Sequence, residues 1–277
     1  MWICPAREGT SFACETDLWV QSPQSAARGN TITHNLRLGT AGIAWVLSVL
    51  YLLVEIFTAG AWKTPYSFAR DSISSLGVTT CSVDSCSPMH DVMNAAFMIL
   101  GALTILGAAL LHKYIPDGRA KKWILGLAVV VALSTAATGL FPANDGTFVH
   151  WTAVLPGFVA RHAVLVLMAI QFWKHSKWIA VWSGLCAATG IVGAVLLLGR
   201  TLTFGLGERL TLYPLPMWMA VTGVAALLAL MRRTVLKNVE LTLPGNGFIT
   251  ALLSLRPRRS RAAVPTDVLA PRELTGL

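Results

Sequence analysis

Charge is what this chain of 277 residues has least of: Asp, Glu, Lys and Arg together make up 13%. A soluble domain carries roughly 25%. A surface with half the usual charge does not face water along most of its area, and lipid is the solvent that such a composition fits. Absence of an apolar stretch before the first long hydrophobic run is equally informative. Met1 to Arg37 is polar, with Pro5 and Pro23, and has no h-region, so no cleaved secretory signal is expected. Also missing are a nucleophile elbow and a zincin motif, which removes the commonest sequence signatures of hydrolases. Nucleic-acid binding is excluded by placement: the net charge is +9, but Arg256, Arg258, Arg259 and Arg261 gather in one tail and most other cations flank apolar runs.

What the chain has in abundance is long apolar runs. Six reach the roughly 20 residues that a bilayer crossing needs: Leu38–Gly60, Val92–His112, Lys121–Phe141, Trp151–Trp173, Trp178–Gly199 and Tyr213–Met231. The expected fold is therefore all-α, a polytopic membrane bundle of six transmembrane helices over residues 38–231. Residues 1–37 and 232–277 are expected to be disordered cytoplasmic tails. Lys and Arg are biased to one side. With the N-terminus inside, the inner segments hold Arg7, Arg28, Arg37, Lys113, Arg119, Lys121, Lys122, Lys174, Lys177, Arg232, Arg233 and Lys237, while the outer ones hold Lys63, Arg70, Arg200 and Arg209. An N-in, C-in protein of the inner cell membrane follows.

The longest outer segment, about residues 61–91, holds Cys81 and Cys86. On an oxidising side these are expected to pair as a disulfide. A metal site would need two further ligands and only His90 is near, so no metal is expected. Cys186 lies within the fifth run and is expected to pack. Within the same segment Ser67 to Leu76 is expected to form a short helix on the membrane surface, with Ser67 as N-cap and Gly77 as stop. Histidine spacing argues against haem: His162 and His175 are about 20 Å apart along one helix and His90 and His112 about 33 Å along another, so they do not meet in register. No cofactor is expected.

Ionisable residues inside a span are costly and mark function by default. Three fall inside the runs: Glu55, Arg161 and His162. Ser48, Tyr51, Glu55 and Thr58 share one face of the first helix, and Ser134 and Thr138 pair on the third. Helices one to four are expected to enclose a polar site in the outer half, with helices five and six packed beside them. Its members are Glu55, Asp71, Ser74, Asn94, Thr138, His150, Arg161 and His162. A plainer alternative makes Glu55 and Arg161 a structural ion pair.

Several motifs occur in order: Tyr66-Ser67-Phe68-Ala69-Arg70-Asp71-Ser72-Ile73-Ser74-Ser75-Leu76-Gly77 after the first span, Asp91-Val92-Met93-Asn94-Ala95-Ala96-Phe97 opening the second, and Thr138-Gly139-Leu140-Phe141-Pro142 closing the third, with His150 beyond. In these the chain resembles, over about residues 38–231, the bacterial and archaeal membrane proteins catalogued as domain-of-unknown-function family 998. The resemblance implies a six-helix membrane domain with polar positions near the outer face and no established activity. The family's Ser-Asp before Leu-Gly is Ser74-Ser75 here, so its carboxylate is absent at that position. The functional expectation is non-enzymatic binding, or movement, of a lipid or other amphiphile. A lipid hydrolase or transferase using His150 or Asp71, and a scaffold for a partner membrane protein, are the alternatives.

Overall fold

Backbone N–H and C=O groups in hydrocarbon have no water to bond, so long apolar runs must close their hydrogen bonds internally as helices. The computed structural model describes residues 23–83, 86–200 and 203–242, with side chains from 31 to 234. The outer parts of the expected tails, residues 1–22 and 243–277, lie outside the described residues. The chain divides into a unit of residues 1–231 and a second of residues 232–277, and the site lies wholly in the first.

The helices are α1 (Pro23–Val46), α2 (Leu50–Gly60), α3 (His90–Leu111), α4 (Arg119–Leu140), α5 (Thr147–Phe172), α6 (Lys177–Leu198), α7 (Phe204–Leu212) and α8 (Pro214–Thr242). One tight 3-10 turn, Leu47–Val49, joins α1 to α2, so that Thr31–Gly60 is a single span. Tyr213 alone separates α7 from α8, and Phe204–Thr234 is likewise one span. Among the described residues, six helical segments are thus long and apolar enough to cross a membrane.

Each span sends one stripe inward and leaves large apolar side chains outward. On α3 the inward stripe is Met93, Phe97, Leu100 and Thr104 at helical spacing, while Met98, Ile99 and Leu106 are exposed. On α6 it is made of small groups (Ala180, Ser183, Ala187 and Gly190), which let neighbouring helices approach closely. Glycines set two other crossings. A Cβ at Gly42 would meet the Gly223 carbonyl at 3.1 Å, and one at Gly139 would lie 2.3 Å from the Asn94 carbonyl. Burial of Cys186 fits its expected packing role.

Connections group on two faces. Thr79 and Asn144 are hydrogen-bonded to each other, joining the α2–α3 loop to the α4–α5 turn. Gly205 N–H donates to Arg70 O, bringing the start of α7 to the same face. At the opposite face Gln171 donates to Pro116 O. The first of these is called the loop face below.

The sixth span differs from expectation. Apolar length places its start at Tyr213, and proline is at home in a first turn. Pro214 does open α8, but α7 continues the span toward the loop face by about two and a half turns.

The expected surface helix over Ser67–Leu76 is also absent. Arg70 and Asp71 N–H groups both turn back to Ser67 O, and a short 3-10 turn follows at Ser74–Gly77. The reason is competition. Carbonyls of Phe68, Ala69, Arg70 and Asp71, which a helix would need, accept instead from α7. Ile73 and Leu76 are fully buried in the bundle instead of lying along a membrane surface.

Candidate functional site

Arg209 on α7 organises the loop face. Nε donates to Glu55 Oε1 at 2.9 Å, Nη2 makes an ion-pair contact with the same oxygen at 2.8 Å, and Glu55 is 0% exposed. The other carboxylate oxygen accepts from the Tyr213 hydroxyl at 2.8 Å. Nη1 donates to the carbonyls of Phe68 (2.6 Å), Asp71 (2.9 Å) and Gly205 (2.9 Å). Nη2 also donates to the Tyr66 hydroxyl at 2.6 Å. All three guanidinium nitrogens are therefore engaged. Tyr66 passes its own proton toward Ser72 O at 2.9 Å, and burial pushes its phenol well above the usual value, keeping it a donor.

This arrangement requires Gly205. A Cβ there would lie 2.3 Å from Asp71 O and 2.8 Å from Phe68 O. The loop backbone rests directly on α7.

One residue earlier, Glu208 points to the other side of the loop. It is 4% exposed. Oε2 accepts from Ile73 N–H at 2.7 Å, and Oε1 accepts a long 3.3 Å bond from Ser74 Oγ. Glu208 and Ser74 stand between two cavities. The outer one, of about 210 Å³, has Ser72, Ser74, Thr147, His150 and Glu208 as its polar lining. The inner one, of about 30 Å³, is lined by Tyr51, Thr135, Thr138 and Arg161 besides Ser74 and Glu208. It is large enough for a water. About one helical turn further toward the opposite face lies an apolar chamber of about 340 Å³, walled by Thr104, Val131, Val164 and Leu215 among others.

Arg161 reaches its small cavity because α5 is interrupted above it. Pro156 lacks an N–H, and Ser134 of α4 inserts into the gap: Gly157 N–H donates to Ser134 Oγ at 2.9 Å, and that hydroxyl donates to Ala153 O and Val154 O. Arg161 Nε then donates to Gly157 O at 2.9 Å, and the guanidinium lies 5.5 Å from the Phe158 ring centre. Among the described residues no carboxylate pairs with it, although it is 8% exposed.

A family model described as "Protein of unknown function (DUF998)" matches residues 45–225. The chain belongs to this family. No curated protein and no solved structure matches it. The DUF998 region contains Glu55, Arg161, Glu208, Arg209 and both polar cavities, so the site lies within the part of the chain that defines the family.

The eight residues expected from sequence divide into groups. Ser74, Thr138, His150 and Arg161 line the stacked cavities. Asp71 and Asn94 hold backbone in this DUF998 chain: Asp71 Oδ2 accepts from Ser67 N–H at 2.7 Å, and Asn94 Nδ2 donates to Gly77 O at 2.9 Å. His162 leaves the site, with Nδ1 at 2.6 Å from Phe158 O and Nε2 packed against Gly190 of α6. Glu55 is adjacent but pairs with Arg209, which corrects the Glu55–Arg161 ion pair. The sixth span does not stand beside the site without charge; it supplies Glu208 and Arg209. Both were missed because Arg209 was counted among loop cations. The available signal was the tripeptide Gly207-Glu208-Arg209, set among apolar residues from Phe204 to Leu212. Cys81 and Cys86 form a disulfide near the loop face.

Proposed function

We propose that this membrane protein binds the headgroup of a lipid or other amphiphile in the outer cavity, from the extracytoplasmic side of the cell membrane, with both chain ends inside. The observation that carries the reading is the cavity of about 210 Å³ itself. It combines a polar floor at Ser74, His150 and Glu208 with an apolar rim at Trp151 and Phe204, which are 45% and 47% exposed. An aqueous solute would not need that rim; an amphiphile uses both surfaces. The one-sided distribution of Lys and Arg supports the orientation.

Binding is favoured over hydrolysis because neither serine of the cavity is hydrogen-bonded to His150 as a nucleophile is to its base. Ser74 Oγ donates to Glu208, Ser72 Oγ accepts from Ser75 N–H, and His150 Nδ1 faces Phe141 O at 2.8 Å. The Asp71 carboxylate holds the Ser67 N–H. Mass spectrometry of lipids retained by the purified protein tests the proposal. A defined lipid class enriched over the bulk membrane is expected, and reduced on changing Ser74→Leu to fill the cavity floor. Retained lipid with the bulk composition in both proteins would sink it.

A further inference from the structure

The chemistry of the outer cavity narrows the ligand. Its lining includes a carboxylate and no lysine or arginine. Glu208 Oε1 carries only the long bond from Ser74, so it retains acceptor capacity. His150 Nδ1 sits at 2.8 Å from Phe141 O, and a carbonyl can only accept, so the proton is on Nδ1. In the neutral ring this leaves Nε2 as a second acceptor. Trp151, Phe158 and Phe204 add aromatic faces to the same wall, and such faces attract cations. Arg161 does not reverse the balance. It belongs to the smaller inner cavity, beyond Glu208 and against the Phe158 ring. The first acidic or basic side chain that an entering group meets, apart from His150, is therefore the Glu208 carboxyl.

Resting on the amphiphile reading above, we infer that the bound headgroup carries a protonated amine, held by Glu208 and the aromatic rim. An ammonium group supplies N–H donors to Glu208 Oε1 and His150 Nε2 and presents its charge to Trp151 and Phe204. A headgroup that is only anionic would set its charge against the Glu208 carboxylate with no cation in the lining to offset it.

The test uses the full chain in dodecyl maltoside, which is uncharged and has no amine. Octylammonium, octyl sulfate and octanol are titrated by calorimetry against protein-free micelles. Saturable binding of octylammonium is expected, at least 10-fold tighter than octyl sulfate. Glu208→Gln should weaken octylammonium about 10-fold or more, the size of one lost charge-assisted hydrogen bond, and leave octanol unchanged. Gln keeps an oxygen acceptor for Ile73 N–H, and a thermal melt checks that it folds. Trp151→Leu, at an exposed position, gives a second reading with no fold risk and should weaken octylammonium several-fold. Octyl sulfate binding as well as octylammonium, or octylammonium binding unaltered in both variants, overturns the amine while leaving the amphiphile reading intact. Failure of all three probes to saturate overturns the amphiphile reading itself.

Discussion

Arg209→Met should unlock the loop face, and its cost can be worked out from its contacts. The substitution keeps much of the side-chain volume and removes the charge and every N–H donor. Glu55, with no exposed surface, loses the hydrogen bond from Nε and the ion-pair contact with Nη2, and keeps only the hydrogen bond from Tyr213. Phe68 O loses its donor, while Asp71 O keeps a weak one from Tyr66 at 3.2 Å. Removing one partner of a buried ion pair costs about 3–5 kcal/mol, because the remaining charge is uncompensated. The double variant Glu55→Met/Arg209→Met removes that charge too. What remains is the under-bonded loop carbonyls, at about 1–3 kcal/mol. The double variant should therefore be more stable than Arg209→Met alone. Reversible unfolding in mixed dodecyl maltoside and dodecyl sulfate micelles gives the free energies. Hydrogen exchange over residues 66–77 reports locally, and should rise in both variants. Additive losses, or Arg209→Met costing under about 1 kcal/mol, would refute the account of Arg209 as the clamp between loop and bundle.

Gly205→Ala should act on the same contact by sterics alone. A Cβ 2.3 Å from Asp71 O forces loop and α7 apart, costing about 1–3 kcal/mol with faster exchange at residues 66–77, whereas an unchanged melt would show that the approach is looser. The proposed orientation is checked with single cysteines: Phe148→Cys, at an exposed loop-face position, should react with an impermeant maleimide on intact cells, and Lys174→Cys only after permeabilisation. The reverse pattern would place the loop face inside. Cys81 and Cys86 should resist alkylation until a reductant is added, read as the mass of the alkylated protein.

The six-span bundle was legible because apolar length is a one-dimensional property, and lipid solvent enforces helices wherever it is long enough. Ser48, Tyr51, Glu55 and Thr58 are all buried, as their helical spacing suggested, since one face of one helix is also local information. Partnership was not legible. Glu55 meets Arg209 across 154 positions, and nothing in the pattern of one sequence separates Arg209 from Arg161 as its partner. The loop failed for a related reason. Ser67 and Gly77 are reasonable helix punctuation, but local signals lose when an arginine and a helix end from elsewhere in the chain take up the same carbonyls. His162 looked equivalent to Arg161 because they are adjacent, yet neighbours on a helix are about 100° apart, and only one of two such residues can face the cavity.

Among the described residues four charged side chains are buried near the loop face, two of each sign, and their different separations imply different roles. Glu55 and Arg209 touch, and between them and the tyrosines every strong donor and acceptor is matched. A pair closed in this way has nothing left to offer a ligand, and its natural work is to fix register between the first and sixth spans. Glu208 and Arg161 balance the count without touching. Each is anchored to backbone, Glu208 to the loop and Arg161 to α5, and both line a cavity of about 30 Å³. Were architecture their only purpose, direct contact would be the cheaper arrangement, since separating buried charges forfeits attraction while each still bears its desolvation cost. A carboxyl group held half-bonded at the junction of two cavities is instead what a binding site needs: a partner fixed in place before the ligand arrives, so that little ordering remains to oppose association.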